Sequence, residues 1–81
     1  MFKIGIVTHF FDKIGVAVVE LDGLLASKDH VRFTKNGEYL FEQEIEDLQI
    51  GHEKVQSASK GALVGIKTLE KVPIGTEVFK L

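Results

Sequence analysis

Eight glycines, at positions 5, 15, 23, 37, 51, 61, 65 and 75, divide this chain of 81 residues into pieces mostly 8–14 residues long. Short segments punctuated at that interval are the rhythm of β-strands joined by turns, as in small sandwiches and barrels. Side-chain choice points the same way. Val, Ile and Thr together number twenty against four Ala, and β-branched side chains, stiff at χ1, suit a pleated surface better than a helix. The length makes a single domain, residues 1–81, near the lower end of what folds without staples. Cysteine is absent, which removes disulfides and thiolate metal sites from consideration.

About six strands follow from a walk along the chain. In "FKIGIVTHF", strict alternation puts Phe2, Ile4, Ile6, Thr8 and Phe10 on one face. Asp12-Lys13 forms a turn, and "IGVAVVEL" is a nearly continuous apolar run, which predicts burial on both faces or barrel closure. Leu24-Leu25 is an apolar anchor amid turn residues, and "HVRFTK" alternates with Val31 and Phe33 inward. Asn36-Gly37 is a strong hairpin signal, because both residues tolerate the positive φ of a type I′ turn. "ALVGIKTL" and "EVFKL" close the set, with a Pro-Gly turn at "VPIGTE" between them. The expected fold is all-β: a small six-stranded closed barrel.

"LFEQEIEDLQIGHEK" admits two conformations. Leu40, Phe41, Ile45 and Leu48 form a helical stripe, but no Ser, Thr or Asp stands at 37–39 to cap a helix. As a strand, Phe41, Gln43 and Ile45 share one face and Glu42, Glu44 and Glu46 the other; the apolar phase then shifts to Leu48 and Ile50. A one-residue shift is what a bulge produces where a barrel bends, so a bulged strand is the expectation.

The acidic residues here, with Glu38, Asp47 and Glu53, surround His52 in sequence. Catalytic carboxylate pairs need an apolar pocket that raises one pKa, whereas three glutamates about 6.5–7 Å apart along one strand face make a solvated surface. "HEKVQ" has Gln56 where a zincin motif requires its second His, and His9, His30 and His52 are scattered. Ser27, Ser57 and Ser59 stand in no nucleophile motif. Neither glycine-rich phosphate loop occurs. The residues therefore lead us to expect no enzyme, no metal, no cofactor and no nucleotide. A metal-dependent enzyme built on His52 and its carboxylates is the third-ranked alternative.

Net charge is −2, without the basic excess that phosphate contacts demand of most nucleic-acid-binding domains. Local candidates for a stacking and phosphate surface are Phe10, Phe11 and Lys13 at the first turn, and Arg32, Lys35 and Tyr39 at the Asn-Gly hairpin. No apolar run reaches the roughly 18 residues that span a bilayer. "MFKIGIVTHFF" lacks the apolar core and cleavage site of a signal peptide, so a cytoplasmic protein is expected.

Several segments in order, "GIVTHFFDKIGVAVVEL", "LDGLLASKDHVRF", "FEQEIEDLQIGHEKVQSA", "SKGALVGIKT" and "VPIGTEVFKL", resemble the second domain of translational GTPases of the elongation factor Tu type. Ala58, Gly61, Val64 and Gly65 fit that family's Ala-x-x-Gly-Asp-x-Val-Gly frame. Lys28-Asp29 and Gly61-Ala62 replace its usual Gly-Asp pairs, with Lys28 and Ala62 taking up the turn angles. The GTPase motifs are missing, so the chain looks like a free-standing translation elongation factor-like protein. A similar barrel is also found at the C-terminal end of some collagenase-like peptidase-family proteins.

The resemblance implies a noncatalytic binding module, associated with translation or RNA modification, that engages structured RNA, the ribosome or a translation protein. By location rather than residue identity, it points to the bent strand and following turn: Gln49, Gly51, His52, Glu53 and Lys54. Lys13, Arg32 and Lys35 complete the candidate surface, and RNA binding predicts that the basic residues converge on one face. The alternative is a protein-interaction scaffold that recruits a separately encoded enzyme without touching RNA. It predicts an exposed apolar patch that includes Phe10 or Phe11.

Overall fold

A computed structural model describes all residues from Met1 to Leu81. The chain is all-β, with strands β1 (Phe2–Phe11), β2 (Val16–Leu21), β3 (Leu25–Ala26), β4 (His30–Lys35), β5 (Glu38–Glu44), β6 (Leu48–Ile50), β7 (Glu53–Val55), β8 (Ser57–Ala58), β9 (Leu63–Lys67) and β10 (Glu77–Lys80). Eight of them form one antiparallel sheet in the order β5-β4-β10-β1-β2-β9-β6-β7, and β3 pairs with β8 separately. The expected six-stranded closed barrel is thereby corrected. The sheet curls, but no backbone ladder joins its edges, β5 and β7.

The acidic stretch explains the difference. It is extended, with Phe41, Gln43 and Ile45 buried on one face, but it makes two strands and not one bulged strand. β5 pairs with β4 at one edge of the sheet, and β6 pairs with β9 toward the other. Residues 45–47 cross between them, and turn residues hold the crossing in place of a ladder. Ile45 N–H donates to the Asp29 carbonyl at 2.8 Å, Lys28 N–H to the Ile45 carbonyl at 2.6 Å, and the Ser27 hydroxyl to the Glu46 carbonyl at 2.8 Å. Lys28 has φ 76°, the left-handed angle required of it, whereas at the second turn Gly61 takes the positive φ.

β1 departs from strict alternation. Its register shifts between Lys3 and Gly5 against β10, and between Val7 and His9 against β2. Each bulge moves the inward position by one, so Ile4 and Val7 are buried and Phe10 packs on the core, while Phe2 is 77% exposed. Glycine is required at position 5. A Cβ there would lie 2.6 Å from Val19 Cγ1 and 2.7 Å from the Glu20 carbonyl oxygen.

β2 alternates cleanly, with Ala17, Val19 and Leu21 buried and Val16 and Val18 half-exposed on the outer face. Leu25 is fully buried but Leu24 faces solvent. The Asn36-Gly37 hairpin forms with φ 52° and 82°. Sixteen apolar residues make the core, with Phe33 and Phe41 stacked at 4.7 Å. Burying a Val, Leu or Phe of this kind contributes roughly 1.5–3 kcal/mol.

Candidate functional site

Two neighbouring hollows on the outer face of the sheet share Val16, Gln49 and Gly65. Outward positions on β2 and β9 build the floor of the larger one, where Gly65 leaves a gap between Val18 and Leu63. Val18 comes from β2, Leu63 and Gly65 from β9. The β1–β2 turn supplies one wall with Phe11 and Ile14; β6 and its turn supply the opposite wall with Gln49 and His52. The cavity measures about 360 Å³. Its apolar lining is accessible, with Phe11 46%, Ile14 60% and Leu63 55% exposed. No carboxylate, lysine or arginine lines it. The smaller hollow, about 110 Å³, continues past Gly65 to Asp47 and Lys67.

Local sequence determines the second wall. Pairing of β6 with β7 matches Leu48 to Val55, Gln49 to Lys54 and Ile50 to Glu53, which leaves Gly51 and His52 as a two-residue turn, Gly51 at φ 63°. Leu48 points into the core, so Gln49 points out, over Gly65 of the adjacent strand.

Of the residues expected to form a binding surface, Gln49 and His52, with Gly51, line this groove. Glu53 and Lys54 stand exposed on β7, with Lys54 Nζ 3.8 Å from Asp47 Oδ2. Lys13 belongs to the β1–β2 turn and borders, with His9 and Phe10, an adjoining hollow that shares Phe11 and Ile14 with the groove. Arg32 and Lys35 lie on β4, separated from β6 by β10, β1, β2 and β9 in the sheet. Arg32 Nε donates to Glu42 Oε2 at 2.6 Å, and its guanidinium lies 5.6 Å from the Tyr39 ring centroid. Lys3, Lys71 and Lys80 are paired with Glu77, Asp12 and Asp29.

Among the acidic residues, Glu42 pairs with Arg32 and Glu44 with His30, and no three His, Asp or Glu side chains converge as a metal site. Sequence reasoning missed Ile14, Val18, Leu63 and Gly65. The available signals were a glycine inside an apolar strand and a leucine out of phase with buried Val64 and Ile66. No helix is long and apolar enough to cross a membrane.

No family model matches the chain. An uncharacterized protease of Methanocaldococcus jannaschii is 33% identical over 79 residues, a match that covers 98% of this chain and 19% of that protein. The chain thus spans about a fifth of that relative's length. Two crystal structures of the C-terminal domain of a Geobacillus thermoleovorans protein assigned as a U32 peptidase superimpose closely. One, the selenomethionine variant, gives a TM-score of 0.89 at 19% identity, covering 96% of this chain and 98% of that one. The other gives 0.90 at 20% identity, covering 99% and 92%.

These similarities overturn the resemblance to the second domain of elongation factor Tu-type GTPases and to free-standing elongation factor-like proteins. The features behind that resemblance, turn glycines and strand patterning, are shared by many small β folds and do not discriminate among them. The other resemblance, to a domain at the C-terminal end of peptidase-family proteins, lies where the comparisons fall: this chain has the fold of the C-terminal domain of that Geobacillus protein.

Proposed function

We propose that the chain is a noncatalytic protein-interaction domain whose partner is the peptidase-type body of a U32-related protein, docked in the groove between the β1–β2 turn and the Gly51-His52 turn. The observation that carries this reading is the concave apolar surface of Phe11, Ile14 and Leu63, large side chains left in solvent beside a polar rim. Exposed aromatic and aliphatic groups that line a hollow are what protein interfaces use as anchors. The long protease relative, of which this chain matches only a fifth, supports the choice of partner. The basic residues do not converge on the groove, since Arg32 and Lys54 are ion-paired and Arg32 and Lys35 sit strands away, which leaves Lys13 beside it.

Affinity purification from nuclease-treated lysate of the source cells, with partners identified by mass spectrometry, tests this reading. A peptidase-family polypeptide retained by the wild-type chain and lost from Leu63→Glu supports it. Loss of every partner on nuclease treatment overturns it in favour of RNA.

A further inference from the structure

Gly65 occupies the middle of β9, where glycine weakens a strand by about 0.5–1 kcal/mol relative to alanine. Strand glycines often mark a bulge, a tight bend or a place where a ligand or another backbone comes close. Neither a bulge nor a left-handed turn accounts for this one. Gly65 has no positive φ, and it pairs in unbroken register with Val18. Crowding is tight but one-sided. An added Cβ would meet Val16 Cγ1 at 3.3 Å and the Gln49 carbonyl oxygen at 4.0 Å, in contrast to the prohibitive 2.6 and 2.7 Å at Gly5. What a Cβ at 65 would do is stand on the saddle shared by the two hollows.

Resting on the reading that this groove is the docking surface, we infer that its occupant is an extended peptide segment with an uncharged anchor, lying with its backbone on Gly65. One apolar side chain of the segment fills the chamber between Phe11, Ile14 and Leu63. The chemistry of the walls fixes each part. The chamber has no charged side chain to pair with a charged anchor, and burying one unpaired is costly. Gln49, beside Gly65, carries both a donor and an acceptor and His52 a ring nitrogen, groups that can bond an occupant's peptide units. A bare backbone at 65 permits contact that any side chain there would hold off.

Panning a phage-displayed random nonapeptide library against the intact chain tests the inference. The expected result is enrichment of peptides with an uncharged apolar residue at one fixed position. Gly65→Val is expected to weaken those peptides at least about tenfold, with Leu63→Glu doing the same. Leu63 is more than half exposed and its cross-strand partner is Glu20, so this second variant adds one solvated like-charge pair, removes no core side chain, and keeps the test decisive even where Gly65→Val does not fold. Failure to enrich peptides, enrichment of a charged residue at the anchor position, or undiminished binding to Leu63→Glu overturns the inference. Undiminished binding to a folded Gly65→Val does the same. If the lysate partner is captured while no peptide is enriched, this inference fails and the docking proposal stands. Peptides that bind through Gly65 while every lysate partner is lost with nuclease give the reverse.

Discussion

The Gln43 side chain grips Leu69, 26 residues further along, as a strand would: Leu69 N–H donates to Gln43 Oε1 at 2.8 Å while Gln43 Nε2 donates to the Lys67 carbonyl at 2.9 Å. In a parallel ladder one residue bonds the two residues that flank its partner. The amide of Gln43 reproduces that pattern around Thr68, and so ties β5 to the end of β9 where the sheet has no ladder. Gln43→Ala removes both bonds and is expected to lower stability by about 1–3 kcal/mol. Urea denaturation checks the magnitude, and faster hydrogen exchange at the Leu69 amide checks the cause.

Gly5→Ala and Gly65→Ala are expected to separate. At position 5 the new Cβ overlaps a backbone carbonyl that has nowhere to go, and a loss of about 1–3 kcal/mol follows. At position 65 only the tip of Val16 has to yield, and stability stays within about 1 kcal/mol of wild type. Paired thermal melts decide the matter; equal losses contradict the roles assigned to the two glycines.

Lys28 holds a left-handed backbone, φ 76°, which costs an L-residue roughly 1–2 kcal/mol. Glycine there relieves the strain and loses part of the gain to unfolded-state entropy. Lys28→Gly is therefore expected to raise the melting temperature by about 2–8 °C.

Phe33 is fully buried and stacks on Phe41. Phe33→Ala removes the largest buried side chain from a small core, and a loss of about 3–5 kcal/mol is expected. Since domains this small sit near the low end of the usual range of about 5–15 kcal/mol, the variant is expected to lose most of its stability and to melt far below the wild type, as thermal circular dichroism would show.

Local signals carried much of this fold. Asn36-Gly37 formed its hairpin because both residues needed positive φ, a property of two adjacent side chains. The phase break between Ile45 and Leu48 was equally legible, since it lay in the alternation itself. Its consequence was not, because passage from one edge of a sheet to the other depends on strands distant in sequence. The two bulges in β1 were hidden for the same reason: the partners β10 and β2 set them, and nothing in "FKIGIVTHF" marks them. At the candidate site, Gln49 and His52 could be named from the bend and turn. The opposite wall, Phe11 and Ile14, and the floor at Leu63 and Gly65 arrive from other strands. Only the doubled Phe10-Phe11 hinted that one aromatic ring had to face outward.

The most direct measurement is photo-crosslinking from within the groove. p-Benzoylphenylalanine replaces Ile14, which is 60% exposed on the groove wall, and in a control replaces Leu69, which is 76% exposed at the seam beside Gln43. In nuclease-treated lysate, docking predicts a covalent adduct with a peptidase-family polypeptide from position 14 and none from position 69. An adduct from 69 alone, or adducts at 14 that disappear with nuclease, would contradict it.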